Sequence, residues 1–267
     1  MLHDCVAEII PIEPDAGNAA AGIASTIVMV CEAVSIPYRL FKYANRGTSA
    51  NDNSMRYLCV LTIAGSDSCG GAGVQADIKT MSALGVYAAS AITSVTVQNT
   101  LGVKAIQAIE PAIVAGQIKA VMDDVKPVAI KIGMVNDCAT IHAIADSLSS
   151  YSPSKLVVDP VMASTSGSML MQRDALEVFC SELLPMATLL TPNIPEAEVL
   201  SKTEIHTVDD MDVAAKRILA MGCKAVLIKG GHLEGNKKID KLYLNDGTVH
   251  TFVHATINTR NTHGTGR

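Results

Sequence analysis

Short runs that are apolar on every residue alternate with longer amphipathic runs through most of the chain, and that alternation leaves few folds open. "YLCVLTIAG" at 57–65 has no polar face to turn toward water, so it must be covered on both sides. "GVQADIKTMSAL" follows with helical period, then "AASAITSVTVQ" as a strand and "PAIVAGQIKAVMDDV" as a helix opened by Pro111. "VAIKIGM", the helix around "DCATIHAIADSLSS", "KLVVDPVM", "DALEVFCSELL", "ATLLTPN", "IPEAEVLS", "VDDMDVAAKRILAMG" and "KAVLIKGGH" continue the pattern. Strands buried on both faces and spaced by helices read as βαβ units around a mostly parallel sheet. "KLYLNDGTVHTFV" breaks the rhythm and reads as a hairpin with an Asn-Asp-Gly turn.

The first 54 residues differ in texture and end in "ANRGTSANDNS", a polar run without apolar period that reads as a linker. The chain therefore divides into an extension with linker, 1–54, and one α/β domain, 55–267. Within the extension, "AGNAAAGIASTIVMVCEAVSI" lacks a basic leader and carries Asn18 and Glu32, so a buried or partner-facing helix is expected rather than a membrane span.

A net charge of −5 supplies neither a basic stripe for nucleic acid nor a polybasic membrane patch, so neither partner is expected. Seven cysteines stand singly, with no CxxC pair, which argues against zinc and a disulfide framework and for a reducing cytoplasm. His250 and His254 lie in "TVHTFVHATI", which alternates like a strand, so they are not expected to form a metal pair on a helix face.

In a parallel sheet, ligands sit beyond the carboxyl ends of the strands. Here those ends read "AGSDSCGGAG", "VQNT", "KIGM", "VDPVM", "TPNIPE", "IKGGH" and "NTHGTG", polar and rich in glycine. Gly71-x-Gly73-x-x-Ala76 meets the loose dinucleotide pattern, but the next strand ends in Gln98-Asn99-Thr100 without the acid that would hold a ribose. The Walker pattern is absent. The Gln98 amide offers a donor and an acceptor to a heteroaromatic edge, although spacing alone favours a loop amide solvating its own turn. Asn193 and Glu196, three apart around Pro195, read either as a helix cap or as groups near nucleotide phosphates. Lys229 ends a strand before two glycines, which suits close approach of phosphate.

Taken together, "TIAGSDSCGGAGVQADIKTMSALGVYAASAITSVTVQNT", "KIGM", "DPVM", "LLTPNIPEAE", "VLIKGGHLEG" and "NTRNTHGTG" resemble the hydroxymethylpyrimidine/phosphomethylpyrimidine kinases of thiamine synthesis. The resemblance runs from about Met55 to Gly266. It implies a ribokinase-like α/β fold, a mostly parallel sheet sandwiched between helices. It also implies transfer of the ATP γ-phosphoryl group to the hydroxymethyl of 4-amino-5-hydroxymethyl-2-methylpyrimidine, then a second phosphorylation to the diphosphate. By the same resemblance Ala72, Asp77, Gln98, Met134 and Val161 hold the pyrimidine, while Asp159, Asn193, Glu196 and Lys229 face ATP, with Mg²⁺ at Asp159 and Glu196. Gly264, Thr265 and Gly266 would form the anion hole of phosphoryl transfer, and the intact protein would be a homodimer.

The family's pattern continues with a proton-accepting residue, usually Cys, where this sequence has Arg267 as its last residue. On that reading the last helices are missing, and a non-catalytic remnant that still binds ligand is one alternative. A pyridoxal or pyridoxine kinase of the same superfamily is the other.

Overall fold

The computed structural model describes residues 58–164, 169–233 and 237–256. The chain order is β1 (Cys59–Asp67), α1 (Gly73–Ala83), β2 (Tyr87–Asn99), β3 (Gly102–Ala108), α2 (Pro111–Asp124), β4 (Ala129–Ile132) and α3 (Cys138–Ser149). Then come β5 (Leu156–Val158), α4 (Ala175–Val178), β6 (Leu189–Leu190), α5 (Ile194–Ser201), α6 (Val208–Leu219), β7 (Ala225–Ile228), β8 (Lys237–Leu244) and β9 (Val249–Ala255).

The strands form one sheet in the order β3-β2-β1-β4-β5-β6-β7-β8-β9. Its six middle strands, from β2 to β7, run parallel. Antiparallel β3 extends one side, and β8 and β9 the other. The chain leaves β1 toward β2 and returns to the other side of β1 as β4, so direction reverses between β1 and β4. Such a reversal opens a crevice beyond the strand ends, where ligands bind in open α/β sheets.

Side-chain alternation divides the strands between two cores. Leu61, Ile63, Ile130, Ile132, Leu156, Val158, Leu190, Val226 and Ile228 point to one face and pack with buried residues of α2, α3, α5 and α6, among them Val114, Ile118, Ile144, Leu200 and Ile218. Val60, Ala129, Val157, Leu189, Ala225 and Leu227 point to the other face, which carries α1 through Met81. At roughly 25 cal/mol per Å² of apolar area removed from water, these two sets hold the strands in register.

Three departures from the sequence reading have local causes. β3, "GVKAIQA", is half-exposed or exposed at every position, so no apolar run marks it, and pairing with β2 makes it a strand. The helix expected over "DALEVFCSELL" is α4 for four residues, then a π turn at Phe179–Leu183 and a 3₁₀ turn at Leu184–Met186. Pro185 lacks an N–H and cannot extend a helix through that point. The extension and linker, the "AGNAAAGIASTIVMVCEAVSI" segment and the last turn all lie outside the described residues. Among the described residues, no helix is long and apolar enough to cross a membrane.

Candidate active site

The loop after β1 is built around one carboxylate. Asp67 accepts the N–H groups of Cys69, Gly71 and Ala72 at 2.8, 3.0 and 2.9 Å, which folds "DSCGGA" into a tight turn ahead of α1. Gly73 opens α1 with φ +57°, and a Cβ there would stand 2.2 Å from the Gly65 carbonyl oxygen, so only glycine lets the helix lie this close to β1. Ser68 ties the loop to the end of β2: its hydroxyl donates to the Gln98 carbonyl at 2.7 Å and accepts the Gln98 N–H at 3.0 Å. The Gln98 carboxamide oxygen accepts from the Thr96 hydroxyl at 3.1 Å. Ala72 and Gln98 are thus brought to one loop cluster, and Met134 folds its thioether over Gly65 beside them. Val161 is half-buried just past β5, its N–H donating to the Asp159 carbonyl at 2.8 Å.

Asp77 takes a different direction. It is turned into the sheet, where it accepts the Thr62 hydroxyl at 2.6 Å and the Lys131 ammonium at 2.8 and 3.1 Å. All three side chains lie on the face that carries α1, directly above the apolar row of Val60, Ala129 and Met81.

The same face continues the polar row across the sheet. Asp159, one residue past β5, accepts from the Lys229 ammonium at 3.0 Å and the Thr191 hydroxyl at 3.1 Å. Lys229 is placed by its backbone: its N–H donates to the Pro192 carbonyl at 2.9 Å, and it bridges to Asn193 in parallel register. Asn193 caps α5, accepting the Glu196 N–H at 3.0 Å, while the Glu196 carboxylate accepts the Asn193 N–H at 2.8 Å. The capping reading of this pair is therefore realised. It also leaves a buried carboxylate near Lys229 and Asp159.

The charges of this cluster set one another. Burial pushes the Glu196 carboxyl up to about 7, with the Lys229 charge pulling down and the Asp159 charge adding to the rise. Burial alone would raise Asp159 too, but the Lys229 and Lys131 charges and its hydrogen bonds hold it below the ordinary carboxylate value. Lys229, which burial would depress, is held above its ordinary value by Asp159 and Glu196. The result is a negative, a positive and a half-protonated group within one strand-end cluster near neutral pH.

A row of this kind suits a phosphate ester, and sequence comparison decides which family uses it here. The family model described as phosphomethylpyrimidine kinase matches residues 67–267. The chain belongs to the phosphomethylpyrimidine kinase family. It is similar to the hydroxymethylpyrimidine/phosphomethylpyrimidine kinase of Rhizobium meliloti, 48% identical over 77% of this chain and 77% of that one. It is also similar to the bifunctional thiamine biosynthesis protein of Geobacter sulfurreducens, 47% identical over 78% of this chain but spanning just 42% of that longer protein. Among solved structures, the phosphomethylpyrimidine kinase of Clostridium difficile 630 is 47% identical, with a TM-score of 0.68 over 74% of this chain and 84% of that one. An ADP complex of Bacillus subtilis pyridoxal kinase is 35% identical, with a TM-score of 0.71 over 79% of each chain.

Within this phosphomethylpyrimidine kinase relative, no three His, Cys, Asp or Glu side chains among the described residues gather into a metal cage. His250 and His254 fall on strand β9, as their alternation predicts. Magnesium needs no cage, because it takes one or two carboxylates and completes its octahedron with phosphate oxygens and water. Asp159, held ionised beside Lys229, and Glu196, whose carboxyl is pushed up to about 7 by burial, fit that donor set once Glu196 gives up its proton. Gly264, Thr265, Gly266 and Arg267 lie outside the described residues.

Two side chains of the cluster were not singled out in the sequence. Lys131 stands in "VAIKIGM", where a charge in an otherwise apolar strand was the available signal. Asp240, on β8, accepts the Gly230 N–H at 2.8 Å and anchors the turn after Lys229, and nothing in "KKIDKLYL" marks it.

Proposed function

We propose that this chain binds Mg²⁺-ATP and an aminopyrimidine alcohol at the carboxyl ends of its parallel strands. On this reading it transfers the γ-phosphoryl group to the hydroxymethyl of 4-amino-5-hydroxymethyl-2-methylpyrimidine, then phosphorylates the monophosphate again. The observation that carries the reading is the Asp159–Lys229 ion pair at 3.0 Å beside the Asn193–Glu196 capping box, on three successive strand ends. Lys229 supplies positive charge where phosphate oxygens arrive, and Gly230 and Gly231 behind it let the backbone approach closely. Asp159 and Glu196 would hold the magnesium ion, which when bound neutralises charge on the phosphates. Gln98 would pair with the aminopyrimidine edge, with Ala72, Met134 and Val161 around the ring. Gly264, Thr265 and Gly266 would serve as the anion hole by resemblance.

Homodimerisation belongs to the same proposal by resemblance. A cytoplasmic setting does too, and is supported by the free thiols of Cys59, Cys69, Cys138, Cys180 and Cys223.

The pyridoxal kinase reading is the second one, favoured by the 0.71 TM-score to the Bacillus subtilis enzyme. The test is ATP consumption by the purified protein with each alcohol in turn, alongside calorimetric binding of each. Phosphorylation and tight binding of the pyrimidine, with pyridoxal the weaker substrate, are expected. Faster turnover of pyridoxal would replace this reading with the second.

A further inference from the structure

Lys131 is a cation in the middle of the sheet whose cost to the fold nothing in the packing explains. Its β4 neighbours Ala129, Ile130 and Ile132 are apolar and buried, and Lys131 itself is 7% exposed. Its ammonium makes two contacts with the Asp77 carboxylate, 2.8 and 3.1 Å, and Asp77 takes a third from Thr62 at 2.6 Å. A buried ion pair is weak evidence for stability, because well-packed apolar residues of similar volume serve a core as well or better. A pair kept at such a place calls for another reason.

Its position suggests one. Thr62 on β1, Lys131 on β4 and the residue past β5, Asp159, share one face of the sheet, the face of α1. The direction reversal of the sheet lies between β1 and β4, so Lys131 stands at the crevice. Its ammonium reaches along the strand to 2.8 Å from where a Cβ of Gly133 would be, and the glycine leaves that space clear. Asp159 adjoins the same strand end, its N–H donating to the Ile132 carbonyl at 2.8 Å. From Asp77 through Lys131 and Asp159 to Lys229, the row alternates in sign, and Lys131 joins its pyrimidine end to its nucleotide end.

Asp77 keeps acceptor capacity for a ligand. Among the described residues its Oδ1 receives the Lys131 ammonium alone, and a carboxylate oxygen has room for a second donor. We propose that Lys131 is a positioning residue of the pyrimidine subsite, acting through the Asp77 carboxylate, which it holds in one orientation. The inference rests on the pyrimidine reading above and adds a residue to it.

The experiment is calorimetric binding of the pyrimidine alcohol and, separately, of Mg²⁺-ATP. It compares wild type, Lys131→Met, Lys131→Arg and the neutral pair Lys131→Met with Asp77→Asn. Lys131→Met should weaken the pyrimidine about tenfold or more, as loss of a charge-assisted partner does. It should leave Mg²⁺-ATP within about threefold, since Lys229 still pairs with Asp159. Lys131→Arg should restore much of the pyrimidine affinity. The neutral pair carries no unpaired buried charge, so it should melt close to wild type yet still bind the pyrimidine weakly. Equal weakening of both ligands by Lys131→Met, or wild-type pyrimidine affinity in the neutral pair, would reduce Lys131 to a core residue and overturn the inference. A wild-type protein that binds Mg²⁺-ATP but no pyrimidine would overturn the functional reading, and this inference with it.

Discussion

Glu196 caps a helix with the same carboxyl group that is proposed for the site. As the N3 residue of α5 it accepts the Asn193 N–H, and as a buried acid its carboxyl is pushed up to about 7, first by burial. Its folded value lies above the ordinary 4.5, so the folded protein holds this proton more tightly than the unfolded chain does. Stability from this group is full below pH 4.5 and is lost as pH climbs through about 7. A tenfold gain in proton affinity is worth about 1.4 kcal/mol, so the loss is on the order of 3 kcal/mol. In metal- and nucleotide-free protein, Glu196→Gln should flatten this part of the stability profile, measured by urea unfolding across that range. An unchanged slope in the variant would show that another group titrates there. The capping role of Glu196 was legible in the sequence, because spacing at a helix start is local. The sequence did not disclose that Asp77 faces Lys131, because these residues meet only when α1 packs on β1 and β4 pairs beside that strand.

At the scale of elements, the apolar strands were the legible part: β4, β5, β6 and β7 fall inside runs read as strands, and β1 and β2 overrun theirs by one or two residues, even where the seven-residue run "ATLLTPN" shortens to two paired residues. The "NDG" hairpin was equally plain, with Gly247 at φ +89°. β3 was not, since nothing in an exposed strand distinguishes it from a loop until its partner is known. The turn after β7 shows how one element aims another. Gly230 lies so close to β8 that a Cβ would stand 1.9 Å from the Ile239 carbonyl oxygen. Gly230→Ala must therefore push β8 or the Lys229 turn aside, at a cost of about 1–3 kcal/mol in overpacking. The expected outcome is a lower denaturation midpoint together with weaker Mg²⁺-ATP binding, because Lys229 moves with its neighbour. Unchanged nucleotide affinity at reduced stability would mean that the strain is taken up by β8.

At the scale of the molecule, the two ligands are expected to meet along a single row of strand ends, so each should stabilise the whole sheet. A ligand at a hundredfold excess over its Kd adds about 2.7 kcal/mol to the folded state. For a domain of this size that moves the melting midpoint by roughly 5–10 °C. Mg²⁺-ATP and the pyrimidine alcohol should each produce such a shift, and both together a larger one, in a thermal scan. No shift with Mg²⁺-ATP would count against the strand-end cluster as the nucleotide site. β1 lies inside this row, between β2 and β4, and both of its partners follow it in the chain. On the ribosome its apolar residues therefore emerge well before the strands that cover its two edges, and β2 alone cannot close the second one. Parallel pairing across such sequence distance is slow and leaves sticky surface open meanwhile. The arrangement that places the crevice between β1 and β4 thus leaves newly made chains open to aggregation until β4 emerges, and co-expressed chaperones should raise the yield of folded protein.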